Sequence, residues 1–318
     1  MALSFMEGNE AIAWGAVAAG CRFFAGYPIT PATTIYNAML RRLPPAGGIC
    51  LQGEDEIASI GFCLGASMAG LKTMTATSGP GISLYSEQIS FAVGSEIPIV
   101  IVDVQRLGPS TGSATRGADG DIQFLQWGNS GGLPVIVLAP IDSVDCYNLT
   151  RHAFNLAERY RCPVFLASNK EIGMTKEAVD VAALADIPAI YRSGYNHGRS
   201  AAPYQPFKPP SDSLVPAFLP MGGKVIVRQT SSSHGPDGFI TSNPETLAQG
   251  ISRMRDKLRR DRDDLSLYRL DSDPEAEILL IVYGVTSRAA KEALRSARDR
   301  SCRLSLLILQ TLYPVPEK

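Results

Sequence analysis

The chain has 318 residues, 45% of them hydrophobic and 19% charged, which is room for about two domains with full cores. Thirty basic residues against thirty-one acidic ones leave a formal charge of −1, which excludes a dedicated polyanion binder and so a nucleic-acid partner. No stretch reaches the roughly 18 uninterrupted apolar residues of a membrane helix, and the start, MALSFMEGNEAIAWG, has no basic-then-apolar leader pattern. The chain reads as cytoplasmic.

From about residue 7 to 168 short apolar runs alternate with small-residue helical stretches, the βα pattern of a mostly parallel sheet. Helices are predicted over 10–19, 32–42, 56–69, 82–92 and 144–159, and strands over 22–25, 48–51, 72–76, 97–103, 135–138 and 164–167. The strands are apolar throughout, as suits a sheet covered on both faces. Pro31 opens a helix where its missing N–H costs least, and Gly20 and Gly70 fall at helix ends. Between 186 and 218 the pattern gives way to a Pro, Ser, Gly and Tyr mixture that reads as a crossing segment. A short strand is predicted over 224–228, then a helix through 253–262, where the run RMRDKLRRDRDD reads as a solvated face with i,i+4 pairs. A second βαβ unit follows, with strand 278–282, helix 286–297 and strand 304–309. Two strands and one helix are too few for a stable open sheet, so either a partner completes the unit or the chain is shorter than its natural fold. The division expected is 1–185, 186–270 as linker and crossing segment, and 271–318.

Three motifs nearly match, and each departs for a physical reason. GASMAGLKT resembles a phosphate-binding loop, but Leu71 separates the glycine from Lys72 and a helix ends there instead of beginning. GPSTG around Ser110 fits a nucleophile elbow, with His152, His197 and His234 downstream, yet the following stretch SATRGADGD is not helical. Ala118-Asp119-Gly120 lacks the first glycine of the Gly-Asp-Gly that, with a downstream Asn, holds magnesium diphosphate in thiamine diphosphate enzymes. The six cysteines are scattered with no Cys-x-x-Cys pair, against a zinc site, an iron–sulfur cluster or a disulfide framework held by this chain alone. No metal ligands are expected here, and the cysteines read as reduced and buried.

GNEAIAWGAVAAGCRFFAGYPITPAT, LQGEDEIASIGFCLGASMAGLKTMTATSGPGISL and VQRLGPSTGSATRGADGDIQFLQWG together resemble the alpha subunit of 2-oxoacid:ferredoxin oxidoreductases, on the 2-oxoglutarate side. The resemblance is dense over 6–174 and thinner through TSSSHGPDGFIT, VYGVTSRAAKEAL and TLYPVPEK, where the family runs on for some tens of residues. It implies an α/β pyrimidine-binding domain of a thiamine diphosphate enzyme over 1–185, and from 271 the start of an incomplete transketolase C-terminal-like α/β domain. It further implies a beta subunit that carries the diphosphate, Mg2+ and a [4Fe-4S] cluster, in a heterodimer or dimer of heterodimers. The implied reaction is reversible: a 2-oxo acid, coenzyme A and ferredoxin give acyl-CoA, carbon dioxide and reduced ferredoxin.

The resemblance places the catalytic carboxylate on Glu54, the first acid of EDE. A carboxylate beside the pyrimidine ring can share a proton with it and so promote deprotonation of the thiazolium carbon. An exposed neighbour of a helix cap is the structural alternative. Asp55 and Glu56 fit the first helical turn. Tyr27, Pro28 and Ile29 are placed against the cofactor, and Thr30 against the substrate carboxylate or keto oxygen, with capping of the next helix as its alternative. Arg106 matches the residue that binds the 2-oxo acid, a role its bidentate fork suits, and Thr115 matches a second substrate contact. Leu107 and Ala114 stand where relatives have glycine and proline, and Arg116 is a weak candidate for a distal carboxylate. Ser78 and Gly79 fit a loop that lets the backbone approach the cofactor, or a plain turn. The alternatives for the whole chain are a non-catalytic scaffold or regulatory subunit of such a complex, and a serine hydrolase using Ser110.

Overall fold

The computed structural model describes residues 3–196 and 203–317. Its centre is a seven-stranded sheet built from β2 (Phe23–Gly26), β3 (Ile49–Gln52), β4 (Thr73–Thr77), β5 (Ile99–Gln105), β6 (Ile136–Leu138), β7 (Pro163–Asn169) and β12 (Thr311–Tyr313). The order across it is β12-β6-β7-β5-β4-β2-β3. The neighbouring pairs are parallel except that β12 runs antiparallel to β6. Period-two alternation divides the core. Val100, Val102 and Val104 of β5 face one side, while Ile99 and Ile101 face the other.

On the first side pack α1 (Gly8–Ala18), α2 (Thr33–Arg42) and α7 (Ser143–Tyr160), with Ile12, Phe24, Ile35 and Phe154 fully buried between them. Each such side chain contributes about 2 kcal/mol through burial. The small residues of GNEAIAWGAVA let α1 lie deep among its neighbours; a Cβ on Gly15 would stand 2.6 Å from the Tyr147 carbonyl oxygen. On the second side pack α3 (Glu56–Met68), α4 (Pro80–Leu84), α5 (Ser86–Gly94) and α6 (Ile122–Trp127). The single helix expected over 82–92 is therefore two, joined at Tyr85, whose hydroxyl is buried 2.9 Å from Thr75 Oγ1.

A small antiparallel pair, β1 (Leu3–Glu7) with β8 (Lys176–Asp180), ties the start of the chain to the segment after α8 (Lys170–Met174). It has no local sequence signal, because its two strands come together only through the fold. The crossing segment is latched by Arg192, whose Nε and Nη2 bond both oxygens of Glu158 at 2.8 and 2.6 Å while Nη1 reaches the Ser67 carbonyl. No strand forms over 224–228. That stretch is pinned instead by isolated contacts such as Arg228 over the Phe239 ring.

The helix expected near 253–262 begins earlier, as α9 (Pro244–Arg259), with Asn243 Oδ1 capping the Thr246 N–H at 2.9 Å, and is followed by α10 (Arg262–Leu265). Its charge run is not simply a solvated face. Arg253 and Lys257 turn inward onto the buried Glu96 at 2.6 and 2.9 Å.

The second unit has three strands. β9 (Tyr268–Asp271) and β10 (Ile278–Tyr283) flank β11 (Leu304–Leu309), and α11 (Thr286–Asp299) covers one face through Ala290 and Leu294. The chain then re-enters the large sheet as β12, with the Ala139 N–H donating to the Gln310 carbonyl at 2.8 Å. The unit from 271 onward is thus joined to the first sheet and does not stand apart. All six cysteines are unpaired, and Cys302 is exposed instead of buried.

Candidate active site

The carboxyl ends of β2, β3, β4 and β5 open onto four loops, 27–32, 53–55, 78–79 and 106–121, and open α/β sheets bind ligands at this edge. Arg106 leaves the end of β5 buried and crosses between two of these loops. Its Nη1 donates to the Thr30 carbonyl at 2.6 Å and its Nη2 to the Thr111 carbonyl at 2.9 Å. Nε finds no partner among the described residues. Of five guanidinium N–H groups, two are thus used to bring the loops together. Gly79 makes room for this crossing: it has φ +48°, and a Cβ there would sit 3.3 Å from Arg106 Nε. The left-handed φ favours glycine at this turn, and a Cβ there would press on the chain's own arginine.

The 27–32 loop is held from below by Asn9, a buried amide in the first turn of α1, which donates to the Pro31 carbonyl at 2.9 Å and to Thr34 Oγ1 at 2.7 Å. Tyr27 and Thr30 are exposed, while Pro28 and Ile29 are half-buried. Ser78 is buried, its hydroxyl without a partner.

Glu54 is exposed immediately beyond β3, the edge strand of the sheet. The Gly53 N–H donates to the Gly26 carbonyl at 3.1 Å, so the start of the 53–55 loop is tied to β2. Asp55 caps α3, accepting from the Ala58 N–H at 2.7 Å, and this leaves Glu54 as the acid of EDE that points outward without a capping duty. Leu51 and Ile57, its neighbours along the chain, and Tyr27, at the start of the loop after the adjoining strand, are exposed apolar side chains. Among the described residues no hydrogen bond or ion pair joins Glu54 or the exposed Thr115 to the Arg106 cluster.

Two further carboxyls at this edge were not singled out by the sequence reading. Asp103 is the only charged residue of β5 and is fully buried, on the face that Ile99 and Ile101 occupy. Burial, with the neighbouring Asp121 second, pushes its carboxyl well above the ordinary range. Asp121 is likewise raised, first by partial burial. The available signal was a lone acid in an otherwise apolar strand, IVIVDVQ.

The loop from 106 to 121 folds back on itself, with the Ser113 N–H donating to the Leu107 carbonyl and the Leu107 N–H to that of Arg116, both at 2.8 Å. Ser110 lies exposed in that turn with φ +54°, not at a strand-to-helix elbow. The cavity of about 320 Å³ beside it is lined by Gly79, Ser83, Leu107, Ala118, Asp121 and their neighbours, with no histidine among the described residues. His197 lies outside the described residues. Among the described residues the hydrolase geometry is therefore not formed. Arg116 is exposed. Asp119 accepts from Asn169 Nδ2 at 2.9 Å, and among the described residues no group of three His, Cys, Asp or Glu is placed to hold a metal ion.

The family model for the pyruvate flavodoxin/ferredoxin oxidoreductase thiamine diphosphate-binding domain matches residues 14–253. The chain belongs to the 2-oxoacid:ferredoxin oxidoreductase family. It is 42% identical to the 2-oxoglutarate synthase subunit KorA of Methanocaldococcus jannaschii, over 100% of this chain and 84% of that one. It is 31% identical to the 2-oxoglutarate oxidoreductase subunit KorA of Mycobacterium tuberculosis, over 98% of this chain and 48% of the other. Among solved structures, the 2-oxoglutarate:ferredoxin oxidoreductase from Magnetococcus marinus with 2-oxoglutarate, coenzyme A and succinyl-CoA bound superposes with a TM-score of 0.92 at 32% identity. That match covers 99% of this chain and 55% of the solved one. A split-gene transketolase at 11% identity and a TM-score of 0.51 shares the fold alone. In this family member the sheet edge just described lies within the thiamine diphosphate-binding domain. No helix of the described residues is long and apolar enough to cross a membrane.

Proposed function

We propose that this chain is the alpha subunit of a thiamine diphosphate-dependent oxidoreductase that converts a 2-oxo acid, 2-oxoglutarate by preference, to its acyl-CoA and carbon dioxide, passing electrons to ferredoxin, and that runs reversibly. The observation that carries this reading is Glu54: a carboxylate free of capping duty at the carboxyl edge of a parallel sheet, set in exposed apolar surface formed by Tyr27, Leu51 and Ile57. This is half of a cleft for a flat, polar-edged ring such as an aminopyrimidine.

The other half comes from a beta subunit that holds the diphosphate, Mg2+ and a [4Fe-4S] cluster, in a heterodimer or dimer of heterodimers. Docking of that subunit would remove water from Glu54 and so strengthen the hydrogen bond this carboxylate would make to the pyrimidine. The bound cofactor supplies the nucleophilic carbon and the electron sink of the decarboxylation.

This chain's own residues hold the oxo acid. Arg106 keeps three N–H donors beyond the two spent on the loops, enough for a carboxylate, and the Thr30 hydroxyl stands exposed beside the carbonyl that Arg106 grips. Tyr27, Pro28, Ile29, Ser78 and Gly79 border the ring site, and Thr115, on loop 106–121, is a second contact for the substrate.

In the assembled enzyme, Glu54→Gln is expected to slow hydrogen–deuterium exchange at the cofactor C2 position by orders of magnitude without loss of assembly. Unchanged exchange would remove Glu54 from this role.

A further inference from the structure

The carboxyl groups of Asp103 and Asp121 lie within hydrogen-bonding reach of each other at the end of β5. Asp103 is 0% exposed, and among the described residues neither of its oxygens has a donor. The Gly79 amide is close enough to favour its ionised form but lacks the geometry of a full hydrogen bond. Asp121 Oδ2 is also buried without a donor. Two ionised carboxylates are acceptors only, so neither can bond the other in a dry site, and such a pair is held together by a proton between them.

The backbone on either side shows what this contact fastens. The Asp121 N–H donates to Gln105 Oε1 at 3.0 Å, and Asn169 Nδ2 holds Asp119. Loop 106–121 is thus tied at its start by Arg106 and at its end by this carboxyl pair.

Resting on the function proposed above, we propose that Asp103 and Asp121 share one proton, and that this bond is a positioning clamp that sets loop 106–121, with Arg106 and Thr115 on it, for the 2-oxo acid. No group is transferred: the proton stays between two carboxyl oxygens as long as the clamp is closed. The charged groups facing the pair are Arg106, which favours ionisation of Asp121, and Asp119, which opposes it; Glu171 acts one step away, on Asp119. Both carboxyls are held above their ordinary values, so the shared proton persists to higher pH than it would between two exposed carboxyls. The clamp opens as pH rises through the raised value, when the second proton is lost and the two charges repel.

The test uses the assembled enzyme with Asp103→Asn and Asp121→Asn, each of which puts a permanent amide donor where the proton was. Infrared spectra of the wild type at neutral pH should contain the C=O stretch of a protonated carboxylic acid, missing from both variants. The protection of amides 107–120, with the base-catalysed rise of intrinsic exchange divided out, should fall as the pair loses its proton in the wild type but not in Asp103→Asn. The KM for the oxo acid should rise severalfold over the same pH range in the wild type only, with kcat changing less. The clamp is overturned by absence of the band in the wild type, by its persistence in both variants, or by identical exchange profiles. Spectrum and exchange need no turnover, so an enzyme inactive on every 2-oxo acid would sink the proposed function while leaving the clamp to be judged on those two readings.

Discussion

Replacing Glu96 with Gln should destabilise the chain by about 3 kcal/mol at neutral pH. Glu96 is wholly buried between α5 and β5, with Oε1 accepting from Arg253 at 2.6 Å and Oε2 from Lys257 at 2.9 Å; its carbonyl accepts from Arg161 Nε at 3.2 Å. Burial alone would raise the carboxyl, but Lys257, Arg253 and Arg161 outweigh it and hold it at about 2 against an ordinary 4.5. At about 1.36 kcal/mol per pH unit, that difference is worth about 3 kcal/mol. The stabilisation is fully present above the unfolded value and is lost as pH falls from there through the folded one. The gap between wild type and Glu96→Gln should therefore be constant near neutrality, shrink to about 1 kcal/mol by pH 3 and close further below that. Denaturant unfolding followed by circular dichroism across pH measures it. A gap that stays the same from pH 6 to pH 3, or one under about 1 kcal/mol at neutrality, would refute the reasoning, because the cluster would then not depend on the carboxylate charge.

Two further outcomes test the latch and the site. Arg192→Ala leaves Glu158 buried and uncompensated and should cost about 3–5 kcal/mol, with limited proteolysis now cutting near 186–196; Arg192→Lys should recover only part, since an ammonium cannot make the two-pronged bond. Gly79→Ala should place a methyl group against Arg106 at a φ that L-residues resist, raising the KM for the oxo acid at least severalfold while leaving that for coenzyme A, and a parallel rise in both would detach Gly79 from the substrate site.

The elements legible in sequence were those whose signal is local. The apolar runs of β4, β5 and β7 and the caps and small residues of α1, α3 and α7 have a period or a punctuation that a window of about ten residues contains. The missed elements have none. β1 and β8 pair across 169 or more residues of chain separation, and β12 is three residues long, ordered by its place beside β6. The same division runs through the site. Glu54, Thr30 and Arg106 were singled out as candidates by the resemblance of the loops that follow the strands. The role of Arg106 as a tie between two carbonyls, the room Gly79 leaves for it and the carboxyl pair at 103 and 121 depend on distances that no spacing along the chain encodes.

The charge run on α9 shows the limit most clearly. Composition and periodicity correctly give a helix, but whether a lysine on it meets water or a buried carboxylate depends on which surface the helix lies against, and that surface belongs to residues about 160 positions earlier. Letter order alone thus settles the type of layer and the family, because these rest on periodicity and on motifs of neighbouring residues. Which polar groups are desolvated, and which partners neutralise them, follows from packing, because the electrostatic worth of a charge is set by the medium and the counter-charges that surround it in space.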